Sequence, residues 1–526
     1  MATEYDYVIV GAGAAGCVLA GRLSEDPGTR VALIEAGGRD DRLEIRIPAA
    51  FGKLFKTAYD WNYTTAPQPG LAGRSLYWPR GRTLGGSSSI NAQMWVRGHP
   101  RDYDQWDIPG WSYEDVLPYF QRAEHRVGTN RGEVYGTAGP LHISELRSPN
   151  ETTRAFLAAC AELGLARLPE LNGAEVNGAA DRFGEGCAPT PVTQRRGRRW
   201  SPADAYLRPA LKRPNLTLIH DSPADRVLFS GKRAVGVRLA HGAEVRAAKE
   251  VLLAGGAIGS PHLLMLSGVG DPDVLRVGGV DVHHDLPGVG RGLVDHLVTA
   301  VYMHCPRPVT LATAPRLPNL VRFLFHRSGP LTSNVGEAVA FIRTSPEEPA
   351  PDIELIFAPV PFIDHGLTPP PGHGITIGAM LLQPESQGRI TLDEDRDVVI
   401  DPAYFSAEAD IRRLALGLRM AQRLAATEAL RDYVDGPMVP YTAPVTDEEV
   451  IAFLRERSET LYHPAGTCRM GLSGDAVVDA ELRVHGLEGL RVVDASVMPT
   501  LNRGHTLAPV VMIAERAADL ILREDF

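Results

Sequence analysis

Two histidines near the C-terminus stand where they could move a proton. They are His463 in Tyr462-His463-Pro464-Ala465-Gly466-Thr467 and His505 in Gly504-His505-Thr506-Leu507-Ala508-Pro509. Imidazole is the side chain whose ordinary pKa lets it accept a proton near neutral pH. The proline after His463 biases that histidine to extended backbone. His505 precedes a helical periodicity from about Pro509 to Leu522, and a helix N-terminus favours the neutral, proton-accepting ring. Taken alone, either histidine is more often a packed or surface residue. The five cysteines (Cys17, Cys160, Cys187, Cys305, Cys468) are scattered without a CxxC pair, so no thiolate zinc site and no disulfide framework is expected, and no metal.

A ligand-binding turn lies at the other end of the chain, in Gly11-Ala12-Gly13-Ala14-Ala15-Gly16. Gly11 permits a tight turn, Gly13 lets a pyrophosphate approach the backbone, and Gly16 allows close packing of helix on strand. The helix that follows offers free amides, at Gly13 and Ala14 first, and the positive end of its dipole. Glu35 closes a second apolar run, Val31–Ile34, where a carboxylate can bind a ribose diol. The motif does not separate FAD from NAD, although its place at the N-terminus leans to FAD. Two further glycine-rich stretches are Gly81-Arg82-Thr83-Leu84-Gly85-Gly86-Ser87-Ser88-Ser89-Ile90-Asn91 and Gly256-Ala257-Ile258-Gly259-Ser260-Pro261. Composition reads the first equally as a ligand-facing backbone or a flexible serine loop, and the second as a structural turn.

Those two stretches, together with the histidine pair, resemble the signatures of the glucose–methanol–choline (GMC) oxidoreductase family. Supporting similarity runs through Asp60-Trp61-Asn62-Tyr63, Leu76-Tyr77-Trp78-Pro79-Arg80 and Val493-Asp494-Ala495-Ser496. The resemblance covers essentially the whole chain and is nearest the bacterial alcohol and choline dehydrogenase branch. It implies FAD-dependent oxidation of a small-molecule alcohol to an aldehyde or ketone, with hydride passing to flavin N5. Within it His463 is implied as the base and His505 as the group that orients the alcohol oxygen. The branch usually has asparagine at the position of His505. The resemblance also implies cofactor contacts from Ala15, Ala36, Arg82, Leu84, Gly85, Gly86, Ser88, Asn91, Ala92, Val227, Asp494, Ala495, His505 and Thr506. Some members attach the flavin through a histidine just before the first signature's asparagine. Ile90 stands there, so non-covalent FAD is expected. The electron acceptor is expected to be oxygen or a quinone-like or artificial acceptor. An alternative within the family is a cyanohydrin-cleaving lyase that keeps the flavin as scaffold.

The elements that must position these groups read as an α/β chain. Tyr5–Val10, a helix over about Ala14–Ser24 and Val31–Ile34 form a strand–turn–helix–strand unit, as parallel sheets require. Strand-like runs recur at Val251–Ala254, Leu490–Asp494 and Ala338–Ile342, with a helical turn at Pro261–Leu266. Helices are expected over Glu408–Ala425 and from Thr446, where Thr446 and Glu449 have capping-box spacing. The expected fold is a Rossmann-like FAD domain with an inserted α+β substrate domain on an antiparallel sheet. The FAD domain is expected from 1–155, 215–300 and 460–526, and the substrate domain from 156–214 and 301–459. Prolines make Phe362–Gly374 an expected irregular loop that gates the site or lies far from it.

With 526 residues, 44% hydrophobic and 22% charged, the chain is long enough for several domain-sized units and too apolar for wholesale disorder. Its formal charge of −10 argues against nucleic acid as a partner. The dense basic stretch Arg195-Arg196-Gly197-Arg198-Arg199 is read as a local anion contact or a solvated loop. No run is long enough to span a bilayer and no basic leader is present, so a soluble cytoplasmic protein is expected. Oligomeric state is left open.

Overall fold

Val8, Ile9 and Val10 are buried in the strand Glu4–Val10, which pairs in parallel with Val31–Ile34 on one side and Glu244–Leu253 on the other. Leu216–Ile219 extends the parallel set beyond Val31–Ile34, and Leu490–Val492 joins it beside Glu244–Leu253. Arg233–Leu239 and Ala224–Ser230 continue the sheet antiparallel. The structure is a computed structural model describing residues 4–128, 134–172, 184–369, 371–438 and 444–524. In the register of the parallel strands Val10 lies beside both Ile34 and Leu253. The chain positions that follow, Gly11, Glu35 and Ala254, therefore meet at one edge, where ligands of open α/β sheets bind.

The turn there has no room for other residues. Gly11 has φ 103°, and a Cβ on it would lie 2.4 Å from the Ala254 carbonyl oxygen. A Cβ on Gly16 would stand 1.8 Å from the Gly11 carbonyl oxygen, so the helix Ala14–Leu23 packs directly on the turn. The helix expected at Pro261–Leu266 is longer, Gly256–Leu266, with Pro261 inside it. Proline deprives the carbonyl four residues back of its donor. Thr467 Oγ1 replaces it, donating to the Ala257 carbonyl at 2.6 Å.

A second sheet of six strands is antiparallel throughout: Glu459–Thr460, Leu297–His304, Gly374–Leu381, Ile353–Ala358, Ala338–Ile342 and Gly186–Pro189. The helix Glu408–Ala425, at the expected residues, packs across it. Every strand of the first sheet falls within 1–155, 215–300 and 460–526, while Leu297–His304 and Glu459–Thr460 run across the boundaries expected at 300 and 459. The Thr446–Glu449 capping box forms as read. Phe362–Gly374 holds only a short 3₁₀ turn, Asp364–Gly366, before the next strand starts at Gly374, with Pro370 outside the described residues. Among the described residues no helix is long and apolar enough to cross a membrane.

The helix Leu507–Glu524, which starts just past His505, is locked to the first sheet's helix through Glu515. The fully buried Glu515 carboxylate accepts from Arg22 at 2.8 and 2.9 Å, Arg122 Nε at 2.7 Å and Tyr206 OH at 2.6 Å. Replacing it leaves two partly buried arginines with only their outer partners, Glu25 for Arg22 and Asp519 for Arg122. Glu515→Leu is expected to lower unfolding free energy by about 3 kcal/mol, as for one partner lost from a buried pair, read as a drop in the urea midpoint. A loss within error would mean that Glu515 does not carry this junction.

Candidate active site

A cavity of about 1000 Å³ runs from the glycine turn to the two histidines, at the upper end of ordinary ligand pockets, which span roughly 300–1,000 Å³. At the turn end Gly13 caps the helix Ala14–Leu23 without any side-chain cap, leaving the first-turn amides to a ligand. Glu35 Oε2 accepts from Ala12 N and Oε1 from Gly37 N, both at 2.8 Å. Burial pushes its carboxyl up to about 7 against these bonds. This uncapped helix end, with a fixed carboxylate beside it, fits the diphosphate and ribose of FAD. The first signature folds back onto the same turn, Gly85 N donating to the Ala12 carbonyl at 2.7 Å. Buried Arg199, from the basic stretch, holds Asn91 through its side chain and carbonyl and also bonds the Ser88 carbonyl. That stretch is therefore a tight hairpin whose last arginine supports the cavity wall.

At the far end the segment from Val294 to Leu297 runs antiparallel to 460–465, with Val294 and Ala465 exchanging backbone bonds and Leu461 N donating to the His296 carbonyl. This pairing sets His296 beside His463. Their Nδ1 atoms are 2.9 Å apart, and His296 Nε2 lies 3.0 Å from the Leu382 carbonyl oxygen. Burial pushes His296 down to about 3. Burial, with the neighbouring His505, His296 and Arg80, holds His463 well below its usual value. Both rings are therefore neutral, and each has one N–H. A carbonyl only accepts, so His296 carries its proton on Nε2 and its Nδ1 is bare. His463 must then donate from Nδ1, and its Nε2 keeps a free lone pair. Asp295 fixes the backbone of the same residue, Oδ1 accepting from His463 N at 2.7 Å, while Oδ2 accepts from Thr460 Oγ1 and the Tyr404 hydroxyl.

His505 stands edge-on to His463, ring centroids 4.9 Å apart. Its Nε2 donates to Glu354 Oε1 at 3.0 Å, from a fully buried carboxylate in the strand Ile353–Ala358. The sequence reading placed only a helix N-terminus near His505; the second sheet adds this carboxylate against it. Arg80, half-buried in the cavity wall, donates to the Tyr462 carbonyl. The Phe362–Gly374 loop reaches the cavity, since Phe362, Asp364 and His365 line it. His365 Nδ1 lies 2.7 Å from the Tyr462 hydroxyl, next to His463.

Of the residues expected from the sequence, Gly11, Gly13, Ala14, Ala15, Glu35, Ala36, Gly86, Ser88, Asn91, Ala92, Asp494, Ala495, Thr506 and both histidines line the cavity. Gly16, Arg82, Leu84, Gly85 and Val227 do not: Gly16 packs on Gly11, Arg82 lies over the Trp61 ring, and Val227 N donates to Ser267 Oγ. Asp494 Oδ2 ties the second signature to the cavity, accepting from Gly256 N and Ser260 Oγ. The sequence reading missed His296, Asp295, Glu354 and Arg80. Glu354 had a signal, being an acid inside the apolar run Ile353-Glu354-Leu355-Ile356-Phe357. Asp295-His296 had none without its partner.

GMC oxidoreductase family models match residues 5–298 and 384–514. The chain is 41% identical to an alcohol dehydrogenase (acceptor) of Pseudomonas putida over 99% of its own length and 96% of the relative's. It is 42% identical to human mitochondrial choline dehydrogenase, over 98% and 90%. The crystal structure of a pyridoxine 4-oxidase from "Mesorbium loti" superposes with TM-score 0.87 at 35% identity, covering 99% of both chains.

Burial of the neutral imidazoles has a pH consequence. In the unfolded chain a histidine titrates near 6.5, whereas His296 and His463 fold with lower values. Below about pH 6.5 the unfolded chain thus binds protons that the folded one refuses, and stability falls as pH falls. Glutamine at 296 can donate to Leu382 and accept from His463 without titrating. The stability of His296→Gln should decline less steeply than that of the parent between pH 6.5 and about 4, by about 1.4 kcal/mol per pH unit for one proton. Parallel urea-midpoint profiles for the two proteins would count against a neutral His296.

Proposed function

The chain belongs to the GMC oxidoreductase family, with FAD as its cofactor, and from that premise we propose that His463 Nε2 takes the hydroxyl proton of a primary or secondary alcohol as the carbon is oxidised. FAD, when bound, supplies the hydride acceptor. The observation that carries the reading is the bare Nε2 of His463, forced by the chain Leu382 carbonyl–His296–His463. A base with its lone pair pre-set and its ring held needs no reorganisation when the alcohol arrives. His505 orients the alcohol oxygen, its ring held in place by the Nε2 hydrogen bond to Glu354. Arg80 adds a half-buried positive charge near the base, which disfavours premature protonation of His463. The aromatic wall of Phe51, Phe55, Phe362 and Tyr462 suits the apolar part of an alcohol. We assign cofactor binding to 1–155, 215–300 and 460–526 and substrate binding to 156–214 and 301–459.

Anaerobic mixing with an alcohol panel tests the proposal, because an oxidoreductase bleaches its flavin and a flavin-scaffolded lyase does not. His463→Ala should slow that bleaching by at least about 10²-fold, the lower end for a general base, with FAD still bound. His505→Asn should be milder, since asparagine still donates a hydrogen bond. Near-normal bleaching in His463→Ala would remove the assigned role.

The cofactor is held without a covalent bond in this reading, because Ile90, at the position of attachment, is an aliphatic side chain buried among Phe51, Leu54 and Phe55. Retention then rests on the helix amides, Glu35 and enclosure of the ring. Acid precipitation should leave all flavin in the supernatant. Fluorescence migrating with the polypeptide on a denaturing gel would refute it.

A further inference from the structure

The helix Leu317–His326 turns its apolar stripe away from the protein. Leu317, Val321, Leu324 and Phe325 follow the i, i+4, i+7, i+8 spacing of one helix face, and Leu317 and Phe325 are 71% and 77% exposed. Only Phe323 is fully buried, against Ile47 and Ala50. Single exposed apolar side chains are common, but a contiguous stripe marks a contact surface.

Charge identifies what that surface meets. Residues 296–336 contain four arginines and no aspartate or glutamate, in a chain of net charge −10. Arg307 pairs with Glu151, whereas Arg316, Arg322 and Arg327 flank the stripe without a carboxylate partner among the described residues. The hairpin from the basic stretch joins them. A Cβ on Gly197 at its tip would lie 2.4 Å from the Arg327 carbonyl and 3.0 Å from the Arg147 stem. This sets exposed Arg195 and Arg196 near the helix, and the Arg147 guanidinium reaches the His326 carbonyl.

We propose that this stripe and its arginines dock the protein on an anionic bilayer surface. The apolar side chains enter the headgroup–acyl boundary and the arginines meet lipid phosphates, the two contributions that add in interfacial helices. A second copy of the chain is a poorer occupant, because an isologous contact would set unpaired arginines against their own copies. The docked face stands close to the site: Phe323 packs on Ala50, and the next residue, Phe51, lines the cavity.

Flotation of the holoenzyme with vesicles tests this. It should float with phosphatidylcholine–phosphatidylglycerol vesicles, stay down with phosphatidylcholine alone, and be released by high salt. Leu317→Ser/Phe325→Ser and Arg195→Gln/Arg196→Gln should each weaken binding by about tenfold or more. Flavin absorbance and the turnover of a soluble alcohol with an artificial acceptor should be unchanged, reporting an intact fold. Failure to float with anionic vesicles, or flotation of both double variants like the parent, overturns the proposal. So does a dimer in light scattering that dissociates on Phe325→Ser, which would give the stripe to a second copy.

Discussion

The hydrogen bond between the Nδ1 atoms of His296 and His463 governs the reactive end of the cavity, because its direction decides which nitrogen of His463 is left bare. That direction is not chosen at His463. It is imposed from behind, by a backbone carbonyl that can only accept and by burial that keeps both rings neutral. A solvated His463 would exchange tautomers freely and spend part of its time with Nε2 protonated. Dry surroundings remove that freedom, at the cost of two imidazoles that cannot share water's hydrogen bonds and so must satisfy each other.

The two ends of the cavity rest on different kinds of constraint. At the glycine turn the limits are steric, since backbone atoms of Gly11, Gly16 and Ala254 lie so close that a methyl group cannot enter. The ligand contacts there are amides and one carboxylate, groups fixed by the helix and strand themselves. At the histidine end the limits are electrostatic. Asp295 and Glu354 are buried acids behind the wall and Arg80 is a half-buried cation in it, and each makes bonds that also aim a histidine or its neighbouring backbone. In the proposed reading this division suits the work: holding a cofactor needs shape, whereas moving a proton needs a directed lone pair.

What the sequence made legible follows the same division. Local chemistry could be read, because the glycine turn, Glu35 and the Thr446–Glu449 cap depend on residues within a few turns of one another. The helix Glu408–Ala425 announced itself by periodicity, and Pro261 hid the first half of its helix because the compensating donor, Thr467, is about two hundred positions away. The histidines were found through family resemblance. Their orienting partners were not, since His296 means nothing until the pairing of 294–297 with 460–465 brings it across from His463. Arg199 shows the reverse case: as part of a run of arginines it read as a local anion contact or a solvated loop, and the fold buries it against Asn91.

The histidine end therefore requires both sheets. His463 follows Glu459–Thr460, a strand of the antiparallel sheet, and His505 lies past Leu490–Val492 of the parallel sheet. His296 stands at the start of Leu297–His304 and Glu354 within Ile353–Ala358, both strands of the antiparallel sheet. The antiparallel sheet gathers His463, His296 and the Leu382 carbonyl, whereas His505 meets Glu354 only where the two sheets come together. The orientation of His505 is thus a property of the contact between the sheets, so a change that loosens their packing would free His505 while leaving the glycine turn and its cofactor contacts in place. Catalysis and cofactor retention are separable in this architecture, because they rest on constraints that the fold assembles at different places.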